Sequence, residues 1–298
     1  MNLFIFGLGY SALTFLRGAS RPPGLAATGT VRTAEKAERL RTQGVETFVF
    51  GPDAADPAIP AALARADALL VTAPATGGVD PALAAYGRAI AAAPGLSRIL
   101  YLSTVAVYGD HDGAWVNERT PPAPASERGR ARLAAEEGWR ALGREAGRQV
   151  HVLRLPGIYG PGQNALAALR EGRAKRLVKD KQVFNRIHVE DIARAIAACL
   201  ATDLPGRVWN VCDDEPAPPQ DVVAFGATLL GLPVPPDQPF ATAKLSPMAA
   251  SFYGENKRVS NRALRELLGV DLAYPTYREG LAALAAAGEG APPLTAER

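Results

Sequence analysis

Leu3-Phe4-Ile5-Phe6-Gly7-Leu8-Gly9-Tyr10-Ser11-Ala12, continuing into Leu13-Thr14-Phe15-Leu16, runs an apolar strand into a glycine-rich turn and then a helical pattern. A second short strand, 25–31, ends beside Arg32, twenty positions after Ala12. That is the layout of a dinucleotide-binding βαβ unit. Gly7 permits the tight turn, Gly9 lets the backbone approach a pyrophosphate, and Ala12 is small enough for the helix to pack on the sheet. Tyr10 and Ser11 open the helix, whose first N–H groups and positive dipole end suit phosphates. Small residues also serve any tight strand–helix turn. Here the flanking strand, the flanking helix and the distance to a ribose-reading position favour a cofactor.

That ribose-reading position is occupied by Thr28-Gly29-Thr30-Val31-Arg32, with no acid before Glu35. A site selective for NAD places Asp or Glu there, to accept from the ribose 2′-hydroxyl. A guanidinium instead suits a 2′-phosphate, which it holds with paired, charge-assisted hydrogen bonds. Arg32 as a solvated residue before the next helix stays open, but the expectation is NADP(H) in preference to NAD(H), with Thr30 and Arg32 as contacts. The end of the strand 68–72 adds Thr72, Ala73 and Pro74.

The chain has 298 residues, enough for one large domain or two coupled ones, with 48% hydrophobic and 21% charged residues. Its net charge of +3 is spread among Lys, Arg, Asp and Glu with no dominant basic run, so nucleic acid is not an expected partner. No apolar stretch approaches a membrane span, and the amino-terminal apolar run reads as a strand, so the expected location is the cytoplasm. Cys199 and Cys212 lie in apolar surroundings without metal-ligand spacing, His111 and His151 look incidental, and no metal site can be assembled.

Short apolar runs at 3–6, 25–31, 45–50, 68–72, 98–103 and 150–155 alternate with helical patterns at 33–43, 81–93 and 126–146. The fold class is therefore α/β: a Rossmann-type doubly wound parallel sheet with a smaller carboxy-terminal substrate lobe. Residues 1–155 form the dinucleotide-binding domain, with a return to it at 186–211. Residues 156–185 and 212–298 form the lobe, containing helices at 261–268 and 276–287 and a tail that frays from 288. Ligands of such sheets bind at the carboxyl ends of the strands, so substrate choice is expected in the lobe.

Four later segments resemble one family. Tyr101-Leu102-Ser103-Thr104-Val105-Ala106-Val107-Tyr108-Gly109 is similar to the strand-end motif of extended short-chain dehydrogenases/reductases, the nucleotide-sugar epimerases and dehydratases. Asn117-Glu118-Arg119-Thr120-Pro121-Pro122 resembles the loop after it. Leu153-Arg154-Leu155-Pro156-Gly157-Ile158-Tyr159-Gly160-Pro161-Gly162 resembles the segment beside the nicotinamide, and Arg186-Ile187-His188-Val189-Glu190-Asp191 the motif that returns the chain to the sheet. The resemblance implies that Thr104 hydrogen-bonds a substrate oxygen, that Pro156 adjoins the cofactor and that Tyr159 lines the substrate pocket. It gives His188 a structural role.

The family's Tyr-x-x-x-Lys helix is where this chain departs: the Tyr position holds Arg128 and the Lys position Arg132. Arginine stays protonated and only donates, so Arg128 cannot cycle a proton as a phenol does. Arg132 can still meet the nicotinamide ribose. One turn apart, the two share a helix face and could clamp a substrate anion, or could belong to a solvated basic helix. Tyr108 and Tyr159, which both follow strand ends facing the cleft, are candidate replacement acid/bases, and His188 has a useful pKa but a motif that suggests a structural role. The segment Asn256-Lys257-Arg258-Val259-Ser260-Asn261 resembles an atypical subgroup that keeps the glycine-rich motif without the Tyr/Lys pair. Lys257 and Arg258 are its candidate substrate contacts. Two readings follow. One is an oxidoreductase or epimerase/dehydratase-like enzyme that acts on a sugar-nucleotide or other small carbonyl or alcohol and uses a non-standard proton donor. The other is a non-catalytic NADP-binding sensor or regulatory protein. The superfamily often dimerises through Rossmann-lobe helices, which makes a homodimer possible.

Overall fold

The computed structural model describes residues 1–75 and 80–289. Its first half alternates strands and helices: β1 (Asn2–Phe6), α1 (Tyr10–Arg17), β2 (Ala26–Val31), α2 (Ala34–Arg41), β3 (Glu46–Val49), α3 (Ile59–Ala64), β4 (Ala68–Val71), α4 (Pro81–Ala92), β5 (Arg98–Thr104), the two-residue β6 (Trp115–Val116), α5 (Glu127–Ala146) and β7 (Gln149–Leu155). After these come β8 (Gly157–Tyr159), α6 (Ala165–Arg170), β9 (Arg176–Val178), β10 (Arg186–His188), α7 (Val189–Ala201) and β11 (Val208–Asn210). The chain ends with α8 (Pro219–Leu229), β12 (Asp237–Pro239), α9 (Pro247–Tyr253), β13 (Arg258–Val259), α10 (Arg262–Glu266) and α11 (Tyr277–Ala286).

Seven parallel strands form the central sheet in the order β11-β7-β5-β4-β1-β2-β3. The order reverses between β1 and β4, which opens a crevice at the carboxyl ends of those strands. A parallel sheet covered on both faces needs strands apolar on both faces, and β1 meets that need with four consecutive buried residues. The period of two then divides the core. Leu3, Ile5, Leu70, Leu100 and Leu153 face α1, α2 and α7, where Phe15, Leu40, Ile192 and Ile196 pack. Phe4, Phe6, Leu69, Ile99 and Val152 face α3, α4 and α5, where Leu63, Ile90 and Trp139 pack.

Helix α5 begins at an N-cap, Ser126, whose hydroxyl accepts from Gly129 N at 3.1 Å, and ends at Gly147, which is left-handed at φ 66°. Helix α10 packs Leu264 into the core cluster that holds Leu3 and Ile5, and most of the other elements after β7 form a lobe over the strand ends. One of its clusters is built from Tyr159, Leu166, Val222, Tyr277 and Leu281, and another from Val107, Tyr108, Val116, Cys212 and Val259. Parallel two-stranded pairs β8–β10, β9–β12 and β6–β13 tie distant segments of the lobe together.

His151, expected to be incidental, is fully buried on β7 and accepts from Trp209 Nε1 at 3.1 Å. The tail expected to fray from 288 is described only as far as Glu289, whose carboxylate accepts from Gly162 N at 3.2 Å; its remainder lies outside the described residues. No helix among the described residues is long and apolar enough to cross a membrane.

Candidate functional site

The glycine-rich turn is closed on one side and open on the other. Gly7 has φ 96°, and a Cβ there would stand 2.8 Å from Thr72 Oγ1 and 3.1 Å from Ala73 N. Nothing lies within 4 Å of where a Cβ on Gly9 would stand. No side chain caps the start of α1 and no acid lies in its first turn. The helix end beside Gly9 thus has room, unengaged donors and a positive dipole, which is the arrangement a pyrophosphate fits. Ala12 is fully buried and Ser11 nearly so, as close helix–sheet packing requires.

Two of the expected cofactor contacts shape the turn. Thr30 is buried, and its hydroxyl accepts from Gly7 N at 3.1 Å; Thr72 donates its hydroxyl to Gly7 O. Tyr10 reaches across to the lobe and donates to Pro161 O at 2.9 Å, and burial pushes its phenol up to about 12. Pro74 is exposed. Arg32 is exposed at the end of β2, and its side chain has no hydrogen bond or ion pair among the described residues. Lys36 lies close enough to feel it: partial burial, Arg39 and Arg32 together hold the Lys36 ammonium below its usual range.

Beyond the strand ends lies a cleft of about 840 Å³, lined by Thr104, Arg128, Pro156, Arg186, Tyr253, Glu255 and Lys257 among others. Thr104 ends β5 half-buried, and its oxygen accepts from Ala106 N at 3.2 Å. The hydroxyl proton stays available to a ligand. Arg128 is exposed at the cleft, its guanidinium 5.0 Å from the centre of the Phe252 ring. Arg132 does not join it. Its Nη1 donates to Leu102 O at 2.8 Å and Tyr101 Oη at 3.1 Å, and the guanidinium lies over the Tyr101 ring. The two arginines therefore form no clamp: Arg132 braces α5 against β5 and does not line the cleft.

Tyr108 does not face the cleft. It is fully buried, donates to Asn210 Oδ1 at 2.8 Å and lies under the Arg154 guanidinium at 4.7 Å. Burial raises its pKa, and its hydroxyl is engaged by Asn210 away from the cleft, which removes it from the position the replacement acid/base needs. Tyr159 is also outside the lining. Its hydroxyl donates to Thr276 O at 3.3 Å, and burial pushes its pKa far up. His188 caps α7, accepting from Glu190 N at 3.2 Å, and burial lowers its pKa to about 4. Arg258 points away and donates to Gly113 O.

Lys257 does reach the cleft, because the extended segment leading to β13 alternates its side chains. Tyr253, Glu255 and Lys257 line the cleft, while Asn256 and Arg258 grip neighbouring loops. Lys257 is buried, donating to Glu255 Oε2 at 2.6 Å and Gly109 O at 2.7 Å.

Sequence reasoning missed the network under Thr104. Arg154 and Glu136, 3% and 1% exposed, pair at 2.6 Å through Nη2 and at 3.1 Å through Nε. Ser103 donates its hydroxyl to the same carboxylate. The signal was a lone arginine inside the apolar run 150–155, which demands a buried partner. That the partner is Glu136, on another element, needed the fold.

Residues 82–212 match the NAD dependent epimerase/dehydratase family. Over 245 residues the chain is 32% identical to protein YeeZ of Escherichia coli K12, spanning 78% of this chain and 84% of that protein. A conserved protein of unknown function from Silicibacter pomeroyi DSS has a solved structure with a TM-score of 0.86 at 47% identity, covering 97% of this chain and 99% of that one. The UDP-glucuronic acid 4-epimerase of Bacillus cereus, solved in complex with NAD, shares the fold at a TM-score of 0.74 and 17% identity, covering 95% and 97%. With its sheet order, its open glycine turn and a cleft at the strand ends, the chain belongs to the NAD-dependent epimerase/dehydratase family.

Proposed function

We propose that the protein is an NADP(H)-dependent oxidoreductase acting on a small carbonyl or alcohol, with residues 1–155 holding the cofactor and the segments 156–185 and 212–298 holding the substrate. The observation that carries this reading is the unpartnered Arg32 beside Lys36 at the end of β2, with no carboxylate competing for the position. Two cations there favour a 2′-phosphate over a bare 2′-hydroxyl. Gly7, Gly9 and the start of α1 would hold the pyrophosphate, with Pro156 beside the nicotinamide, the group that supplies hydride exchange when bound.

On the substrate side, Thr104 donates its hydroxyl to the reacting oxygen. The proton must move through a group other than Arg128. Among the cleft-lining residues Lys257 suits that task. Its ammonium gives two N–H groups to Glu255 and Gly109 O, and the third can pass its proton to the reacting oxygen and take one back in the reverse direction. Ser103, Glu136 and Arg154 fix the strand end on which Thr104 stands. A second reading, a non-catalytic NADP-binding sensor, draws on the burial of Tyr108 and Tyr159 away from the cleft.

Calorimetric titration with NADPH and NADH tests the reading. NADPH is expected to bind more tightly, and Arg32→Ala to weaken NADPH roughly tenfold to a hundredfold while leaving NADH unchanged, the range expected for losing a charge-assisted hydrogen bond. Equal affinity for both nucleotides, or an Arg32→Ala variant with wild-type affinity, would sink it. Turnover abolished by Thr104→Ala and by Lys257→Gln, with NADPH affinity retained, would remove the sensor reading.

A further inference from the structure

The cleft contains three cations, and they differ in what neutralises them. Lys257 is paired with Glu255. Arg128 is exposed and solvated at the cleft, over the Phe252 ring. Arg186, on β10, lines the interior and forms no ion pair among the described residues. Its Nη1 donates to Phe184 O at 2.9 Å and Ala217 O at 3.1 Å, which fixes one edge of the guanidinium. Nε and Nη2 have no acceptor among the described residues. In register with Arg186 on β8 stands Gly157, which also lines the cleft and puts no side chain beside it.

The carboxyl group that acts on Arg186 most strongly is Asp213, and it does not close an ion pair. Asp213 is buried; one oxygen accepts from Glu215 N at 3.3 Å and the other has no partner. Burial pushes this carboxyl up from its ordinary range, and no ion pair between it and Arg186 forms among the described residues. A desolvated guanidinium without an anion is costly, and a fixed fork of free donors is the geometry that takes a carboxylate in two parallel hydrogen bonds. The cleft walls include the apolar or aromatic Ile158, Val183, Phe184 and Tyr253, and the Arg186 guanidinium lies 5.9 Å from the centre of the Tyr277 ring.

We infer that Arg186 is the anion anchor of the substrate cleft and that the substrate is a small carboxylic acid with an apolar or aromatic body. This deepens the oxidoreductase reading and rests on it. A nucleotide diphosphate would draw on Arg128 as well as Arg186, and Arg128 is exposed with its guanidinium over the Phe252 ring. The carboxylate lies on the free edge of Arg186, the body fills the space against Phe184 and Tyr253, and the reacting carbon lies toward Thr104 and Pro156.

Calorimetry on the full chain, with and without saturating NADP⁺, tests this with four probes: trans-cinnamate, its neutral isostere cinnamamide, phenyl phosphate and UDP-glucose. Cinnamate is expected to bind at least tenfold more tightly than cinnamamide, and more tightly than phenyl phosphate or UDP-glucose. In Arg186→Gln the acid and the amide should bind alike. Arg186→Lys, which keeps the charge without the fork, should recover part of the difference. The wild-type comparison of acid with amide needs no variant to fold. Acid and amide binding alike to the wild type, either phosphate probe outcompeting cinnamate, or a full acid preference surviving in Arg186→Gln would each overturn the inference. NADPH affinity is read in a separate titration, so failure of the cofactor reading is seen independently.

Discussion

Two arginines, one in the central sheet and one in the β8–β10 pair, meet opposite fates. Arg154 on β7 is buried against Glu136, which receives hydrogen bonds from both its Nε and Nη2 and another from Ser103. Arg186 on β10 has an acidic neighbour, Asp213, but no ion pair among the described residues, and it lines the cleft. A compensated buried charge holds elements together; an uncompensated one at a cavity wall is a place for a ligand. The difference is geometric, since both residues are arginines on strands and differ in what lies beside the guanidinium.

Breaking the first site should have the largest effect. Glu136→Ala leaves Arg154 buried without its partner and is expected to cost about 3–5 kcal/mol in urea unfolding. Arg186→Gln should cost far less, because no protein carboxylate is stranded. If the two variants lose the same stability, the contrast between scaffold and binding site fails.

Acid probes a second pair of buried groups. Burial lowers the pKa of both His151 and His188 to about 4, whereas an unfolded histidine titrates near 6.5. Between those values the unfolded chain binds more protons than the folded one, so stability is intact above about pH 6.5 and is lost as pH falls toward 4. Each histidine contributes up to about 3 kcal/mol of that loss. Denaturation midpoints across this window should fall more gently for His151→Gln; a slope equal to wild type would contradict the assignment.

Asp213 titrates with the opposite sign. Its folded pKa, about 8, lies above the ordinary 3.8, so the folded state binds the extra proton and stability declines as pH rises from about 4 to 8. Asp213→Asn is expected to stabilise by about 1–3 kcal/mol at pH 8.5 and by nothing near pH 3.5. A gain independent of pH would mean that packing, not ionisation, sets its cost.

The smallest effect belongs to the surface. Arg262 and Glu266 pair at 2.7 Å on the exposed face of α10, and Arg262→Ala should change stability by about 0.5 kcal/mol or less. A larger loss would show that exposed pairs here carry weight comparable to the buried ones.

The amino-terminal half was legible because its signals are local. An apolar run, two glycines and a small residue at fixed spacing can fold in few ways, and β1, α1 and β2 fall where that pattern puts them, within a residue or so. The same local reading misjudged Tyr108, Tyr159, Arg132 and Arg258. Each follows a strand end or sits on a helix as expected, yet each side chain is drawn into contacts with residues distant in the chain: Asn210, Thr276, Tyr101 and Gly113.

By itself, then, the sequence determined the doubly wound sheet, the glycine-rich turn and the lack of an acid from Thr28 to Arg32, because periodicity and turn chemistry act over a few residues. Tertiary structure alone decided which charges are neutralised: Arg154 by Glu136, Lys257 by Glu255, and Arg186 by no ion pair among the described residues. The energy of a buried charge depends on what lies within a few ångströms of it, and in a folded chain those neighbours can come from anywhere along the sequence.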